Sequence, residues 1–126
     1  MTLRHPVLLV FVGGMLGGAA RIGIDAVLPA AAGMPWDLVA INIVGSAALG
    51  AIDGHLNVRG SRWWRPFVAT GVLGGFTTFS SVAALQWTSG AGAGASIALL
   101  AVTVVATVVA AVVSRRWAIA RAGAAA

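Results

Sequence analysis

The sequence predicts an all-α membrane protein with four transmembrane helices, the third of them broken near its middle. Of the 126 residues, 60% are hydrophobic and only 9% are charged, which is more apolar surface than a small soluble domain can bury. Four stretches of the chain are each long and apolar enough to cross a bilayer. Tryptophan and arginine residues gather near the ends of these stretches, as they do at membrane–water boundaries.

The four spans are predicted at residues 6–28, 38–56, 66–88 and 95–113, so that residues 1–126 form a single transmembrane domain. The connections between them are short: PAAAGMPWD, NVRGSRWWR and SGAGAG. The first span also resembles a signal peptide, because Arg4 precedes an apolar run that reaches small residues at 18–20. Three further spans follow, so we expect this segment to stay in the membrane domain.

The arginines are distributed unevenly between the loops. Arg4 precedes the first span, and the rest of the terminal and loop arginines lie after the second span or after the fourth: Arg59, Arg62, Arg65, Arg115, Arg116 and Arg121. The positive-inside rule then predicts that both termini are cytoplasmic in a multi-pass protein of the cell inner or plasma membrane. A net charge of +5 would suggest nucleic-acid binding in a soluble protein, but here the charges flank apolar spans.

Small residues in the first two spans predict close helix packing. Gly13, Gly14, Gly17 and Gly18 form two interleaved small-xxx-small pairs in the first span, and the second span has a similar face. Asn42 lies in the middle of that second span. Its amide predicts either a hydrogen bond between helices or a donor directed at an anion.

Two further polar features allow two interpretations each. Thr103 and Thr107 are one helical turn apart on the same face, so their hydroxyls either bond back to carbonyls of their own helix or line a pore. Arg21 is deep for a charged residue, and either pairs with Asp25 one turn later or gives a water-filled vestibule a positive field.

The chain lacks the residues that other membrane functions require. It contains no cysteine and no glutamate, and its three aspartates lie at or near span ends. A proton-coupled exporter needs a titrating side chain in the membrane core, and an acid–base enzyme needs a paired acid and base. We therefore expect neither a proton antiporter nor an enzyme, and no metal site built from side chains.

The segment GGFTTFSSV, at residues 74–82, combines helix-weakening glycines with a run of hydroxyls. If the third helix breaks here, backbone carbonyls and N–H groups lose their partners within the helix, which membrane proteins tolerate only in a cavity. Freed carbonyls can hold a bare cation, while N–H groups and hydroxyls can hold an anion. Phe76 and Phe79 add ring edges of partial positive charge.

These pieces together resemble the small fluoride channels of the Fluc/CrcB family. The similarity rests on GGMLGGAARIGI in the first span, VAINIVGSAALG in the second and GVLGGFTTFSS in the third, with four spans in the same order. The third of these matches the family signature Gly-Gly-x-Thr-Thr-Phe-Ser and is the most specific. The resemblance covers nearly the whole chain.

The resemblance implies a fluoride-selective channel that exports fluoride passively and lowers its cytoplasmic concentration. It also implies an antiparallel, dual-topology dimer in the lipid bilayer, with a structural sodium ion held by main-chain carbonyls of Gly74 and Thr77. Carried over residue by residue, it gives a vestibule arginine at Arg21 and a fluoride pathway formed by Asn42, Thr78, Phe79, Ser80, Thr103 and Thr107.

The chain departs from the family pattern just after the signature. Ser81 replaces a threonine, Val82 stands where the family has a second phenylalanine, and Leu85 stands where it has a glutamate. Valine has no ring edge, and the arginine bias predicts one fixed orientation. Both features predict pairing with a different, paralogous subunit, in which this chain conducts or serves as a mainly structural partner. A homodimer is the other possibility, because charge rules can be overridden during assembly. A small four-helix multidrug exporter is the alternative from another class, but it would need a glutamate in the first span.

Overall fold

The structure is a computed structural model that describes residues 5–27, 36–77, 90 and 92–124, and these residues are almost entirely helical. Helix α1 spans Pro6–Val27 and α2 spans Trp36–Arg59. A π-helical segment, Pro66–Val72, continues directly into the short helix α3, Leu73–Phe76. Helix α4 spans Ala93–Ala124. No strand occurs within the described ranges, in agreement with the all-α prediction.

Three helices, α1, α2 and α4, are long and apolar enough to cross a membrane. Their outer faces carry large exposed apolar side chains, such as Phe11 (63% exposed) and Val105 (62%). Water would be a poor solvent for such faces, since contiguous apolar surface of this kind is covered by lipid or protein. The prediction of a multi-pass membrane protein is confirmed to this extent.

The predicted spans match the helices at some ends and miss them at others. Helix α1 agrees with the predicted span to within one residue, whereas α2 extends beyond both ends of span 38–56. Helix α4 continues from Ser114 to Ala124, well past the predicted end at residue 113. The sequence there, SRRWAIARAGA, is too polar for the bilayer core but is rich in alanine and arginine, which favour helix. Hydropathy locates the membrane-spanning part of a helix and not its end.

The third span is helical as far as Phe76. Pro66 stands at its first turn, where a missing N–H group costs nothing, and the N–H of Leu73 reaches back to the carbonyl of Val68 in the wide π pattern. Thr77 then leaves the helix with an extended backbone (φ −86°, ψ 141°). The remainder of span 66–88 lies outside the described residues. That the third span crosses the whole membrane, with a break near its middle, therefore remains a prediction.

Helix α3 ends within the segment 74–82 that was singled out in the sequence. Gly74 and Gly75 are both inside α3, and the change of backbone direction comes at Thr77. Glycine lowers helix stability without dictating where a helix stops. Here the stop coincides with a threonine whose N–H and hydroxyl both bond to one carbonyl, as described below.

Helix α1 runs parallel to the third span, and glycines set their separation. A Cβ atom on Gly13 would collide with the carbonyl of Phe67, and one on Gly17 would collide with that of Val72. From the other side, a Cβ on Gly75 would collide with the carbonyl of Gly14. Backbones therefore meet directly, and the predicted close packing of the first span is confirmed.

Helices α2 and α4 form a second parallel pair. A Cβ atom on Gly50 would meet the carbonyl of Ala111, and one on Gly54 would meet that of Arg115. Residues further along α2 contact residues further along α4, so the two helices run parallel. The two pairs meet where Leu38 and Ile41 of α2 pack with Ile24 and Phe76.

One aspartate joins three elements at the arginine-rich end of the molecule. Asp53 of α2 accepts hydrogen bonds from Arg65, just before the π-helical segment (3.2 Å), and from Arg115 of α4 (2.9 Å). Both ion pairs are about half exposed, so each is worth little by itself. Together they give the turn between α2 and the third span a fixed position against α4.

The glycine contacts lead to a matched pair of substitutions. Gly17→Ala places a methyl group against the carbonyl of Val72, whereas at Gly18 the nearest atom to a new Cβ is 4.0 Å away, an ordinary contact. Both changes raise helix propensity equally. We expect G17A to lower the free energy of unfolding by about 1–3 kcal/mol through overpacking, and G18A to leave it unchanged or slightly higher. Thermal unfolding of the detergent-solubilised chain measures this, and equal melting of the two variants would contradict it.

Candidate functional site

The end of α3 is held by a doubled hydrogen bond. The backbone N–H of Thr77 donates to the carbonyl of Leu73 (3.0 Å), and the Thr77 hydroxyl donates to the same oxygen (2.9 Å). The side chain and N–H of Thr77 thus both bond to the preceding helical turn. Because its backbone is extended, its own carbonyl turns away from the helix. In a continuing helix, the carbonyls of residues 74–76 would bond to N–H groups of residues 78–80, which lie outside the described residues.

The two adjacent glycines of α3 serve different purposes. Gly75 is required by packing, because a side chain there would collide with Gly14 of α1. Gly74 is exposed, and a Cβ atom added to it would meet no described residue within 4 Å. Packing among the described residues therefore explains Gly75 and does not explain Gly74.

Helix α2 closes over the end of α3. A Cβ atom on Gly45 would collide with the methyl group of Thr77 and would come to 3.4 Å from the ring of Phe76. Asn42, one turn earlier on α2, is 1% exposed. The amide of Asn42 thus lies inside the protein, on the face of α2 that leads to the end of α3.

The two threonines of α4 are buried and bonded within their own helix. Thr103 is completely buried and donates to the carbonyl of Leu99 (2.8 Å), and Thr107 is 4% exposed and donates to that of Val104 (2.9 Å). Of the two interpretations left open above, back-bonding is the one observed. A hydroxyl has a single hydrogen, so both donors are occupied in this state.

The parallel register brings Asn42 and Thr103 to the same depth. Gly50 of α2 lies against Ala111 of α4. Asn42 precedes Gly50 by as many residues as Thr103 precedes Ala111. Both side chains are buried, on helices that pack side by side. Asn42, Thr103 and Thr107 therefore form a polar layer between α2 and α4, in a helix pair whose remaining buried side chains are mostly apolar.

Arg21 pairs with Asp25 on the same face of α1, as the first of its two interpretations predicts. The Nη1–Oδ2 distance is 3.6 Å, and the Arg21 side chain is 23% exposed. Asp25 Oδ1 is buried without a hydrogen-bond partner among the described residues. Arg21 stands one turn beyond Gly18, past the contacts with α3, at the end of α1 away from the arginine-rich loops.

Three predicted residues of the pathway fall outside the described part of the chain: Thr78, Phe79 and Ser80. The same holds for the positions that depart from the family signature, Ser81, Val82 and Leu85. Their placement remains a prediction. Within the described ranges, no three His, Asp or Glu side chains come together as a metal site.

Sequence reasoning missed the role of Asp53, which it treated only as a residue near a span end. The available signal was its isolation: it is the single acidic residue beside two clusters of arginine. A lone carboxylate among cations is expected to attract several of them. This clamp secures the arginine-rich end and does not touch the polar layer.

Comparison with known proteins supports the sequence resemblance. Residues 8–115 match the family model described as CrcB-like protein, Camphor Resistance (CrcB). The chain is 49% identical over 78 residues to fluoride-specific ion channel FluC 2 of Nitrobacter hamburgensis, covering 59% of this chain and 63% of that protein. It is 46% identical over 90 residues to fluoride-specific ion channel FluC of Mesorhizobium japonicum, covering 67% and 73%.

A third relative, fluoride-specific ion channel FluC of Methylobacterium nodulans, is 48% identical over 77 residues, covering 59% of this chain and 62% of that protein. The match thus spans about three fifths of the length of several of these curated relatives. By name these proteins are ion channels and not enzymes, in agreement with the expectation for this chain. Because the family model matches most of its length, the chain belongs to the CrcB family.

Proposed function

We propose that this chain is a subunit of a fluoride-selective channel that lets fluoride leave the cytoplasm passively. The observation that carries this proposal is the helix end at Thr77, which lies inside an apolar span and beside a buried polar layer. The family supports it, because relatives of this chain are named fluoride-specific ion channels. A packed scaffold needs neither a helix end nor a buried amide at this depth. The chain would be a transport protein and not an enzyme.

Fluoride is small and strongly hydrated, so a pore must replace its water with hydrogen-bond donors. The Asn42 amide already has a partner in this structure, and it would turn an N–H donor towards the ion at the depth of the polar layer. Thr103 and Thr107 can donate only after turning away from their helix carbonyls, which exchanges one hydrogen bond for another. Thr78 and Ser80 would add hydroxyls, and Phe79 would face the ion with its ring edge.

Export needs no energy-coupling machinery under this proposal. Hydrofluoric acid crosses membranes uncharged and releases fluoride in the more alkaline cytoplasm, and a negative interior potential then drives the anion outwards. Arg21 would raise the local anion concentration at one mouth of the pathway, since a positive field in a low-dielectric cleft concentrates anions. Its pairing with Asp25 would moderate that field.

The helix end also fits the structural sodium ion that the family resemblance implies. Unwound backbone carbonyls are the groups that hold Na⁺ in broken membrane helices. The Thr77 carbonyl turns away from the helix, and the Cβ position of Gly74 is open to an approaching molecule. We infer that the carbonyls of Gly74 and Thr77 would hold the ion together with those of a second subunit, and that the ion would fix the two helix ends to each other.

We further propose that the second subunit lies antiparallel and is a paralogue of this chain. The described residues leave room for another backbone at Gly74, and the exposed apolar faces of α1 and α4 leave room for another subunit. Val82 would leave one ring edge missing, and a partner with the full signature would supply it. The second candidate function follows from the same features: a mainly structural partner whose own pathway conducts poorly.

The first test is fluoride efflux from liposomes, followed with a fluoride electrode and started with a potassium ionophore. We expect little efflux from this chain alone, rapid efflux after co-reconstitution with a paralogue that carries the full signature, and no chloride efflux in either case. Rapid efflux from the chain alone would contradict the hetero-partner and leave the channel in place. The absence of efflux from both preparations would contradict the channel itself.

The polar layer can be tested within a conducting pair. Asn42→Ala removes the buried amide, and we expect fluoride efflux to fall about tenfold or more, because a dehydrated ion would lose a donor worth about 1–3 kcal/mol. Asn57→Ala is the matched control, because it makes the same chemical change at an exposed position of α2. Equal effects of N42A and N57A would remove Asn42 from the proposed pathway.

The fixed orientation can be tested directly because the chain has no native cysteine. Ser61→Cys lies in the exposed turn after α2, and Ala93→Cys lies at the exposed start of α4. The arginine bias predicts that a membrane-impermeant maleimide labels A93C on intact cells and labels S61C only after the membrane is opened. Labelling of both variants on intact cells would mean that the chain inserts in both orientations.

A further inference from the structure

A groove of about 450 Å³ opens between the ends of α2 and α4, at the arginine-rich end and away from the polar layer. Gly54 allows the two helices to touch here, because its missing side chain leaves room for the Arg115 carbonyl. The floor of the groove consists of small or apolar side chains: Ala51, Ile52, Ala118 and Ala122. This floor can take hydrocarbon and offers no side-chain hydrogen bond.

The rim of the groove is basic and aromatic. Arg59 stands on one side, one helical turn beyond His55, and Arg121 stands on the other. The guanidinium of Arg121 lies over the ring of Trp117, 4.5 Å from its centre, which gives it a preferred position at the rim. Trp64 completes the lining, so indole rings flank the groove at the level of the membrane boundary.

None of the acidic side chains of this chain pairs with the rim arginines. The whole sequence contains only three acidic residues. Asp25 pairs with Arg21, Asp53 pairs with Arg65 and Arg115, and Asp37 is in the first turn of α2, at the opposite end of that helix. Across the described ranges, Arg59 and Arg121 are in no ion pair, which leaves both guanidinium groups available to an anion from outside the chain.

We propose that this groove binds an anionic phospholipid, with its phosphate between Arg59 and Arg121 and part of an acyl chain along the alanine floor. Basic pockets between transmembrane helices at the boundary suit anionic headgroups. A soluble anion would use the arginines and leave the apolar floor uncovered, whereas a lipid matches both parts. Bound lipid would bridge α2 and α4 and hold the long end of α4 at the membrane surface.

Native mass spectrometry of the full chain in detergent tests this without any measurement of ion flux. The affinity for the first molecule of phosphatidylglycerol is compared with that for phosphatidylcholine of the same acyl chains. We expect phosphatidylglycerol to bind more tightly than phosphatidylcholine. R59Q/R121Q is expected to reduce that preference by roughly tenfold, because it removes the two positive charges that attract the anionic headgroup. R62Q/R116Q removes the same charge at the same end but outside the groove, and is expected to leave the preference nearly unchanged.

Two further arms separate the groove from simple attraction of charges. Ala51→Phe fills the floor without changing the charge, and we expect it to weaken phosphatidylglycerol binding while the arginines remain. Millimolar inorganic phosphate is expected to leave lipid binding unchanged. Equal losses in the two double variants, an unaffected A51F or displacement by phosphate would each overturn the lipid site. Circular dichroism and size-exclusion profiles confirm that each variant is folded before it is compared.

Discussion

The structure depends on one constraint: inside a membrane, every backbone N–H and C=O group needs a partner within the protein. Three long helices satisfy it along their whole length. Helix α3 ends at Phe76 and Thr77 is extended, so this helix end must be enclosed. Glycines on α1 and α2 make this possible, since Gly17 and Gly45 allow those helices to lie directly against Val72 and Thr77. The close packing of small residues is therefore what allows a helix to end at this depth, and it is not a separate property of the fold.

Scarcity of negative charge organises the two ends of the molecule in different ways. Near the arginine-rich end, Asp53 gathers two arginines, and the other arginines of the loops are left with no acidic partner among the described residues. At the opposite end, Arg21 has Asp25 beside it on the same helix. A positive excess at one membrane surface sets orientation and attracts anionic lipid. A balanced pair at the other end allows an arginine to remain close to the bilayer core, where an isolated charge would be costly.

Much of the fold could be predicted from the sequence because membrane constraints act locally. Hydropathy and length were enough for α1, while α2 and α4 extend past their predicted ends because helix propensity continues where apolar character stops. The sequence predicted a break within residues 74–82, and α3 ends at Thr77 inside that segment; the exact position depends on two bonds to Leu73 and on a rotamer that no pattern specifies. Asn42, Thr103 and Thr107 could be chosen by polarity and depth. That these side chains lie at the same depth could not be predicted, because it depends on the contact of Gly50 with Ala111 in the tertiary structure.

The contrast between the two glycines of α3 shows what one chain can and cannot complete by itself. Gly75 is fully accounted for by Gly14, so selection for packing inside this chain would preserve it. Gly74 meets nothing among the described residues, yet a glycine there lowers helix stability by up to about 1 kcal/mol relative to alanine. Such a residue is explained if a group outside the described part of the chain approaches the backbone at that point. The threonine hydroxyls of α4, by contrast, are satisfied by their own helix and require no partner. A second subunit with its own helix end would account for Gly74, since it would use the space beside that residue.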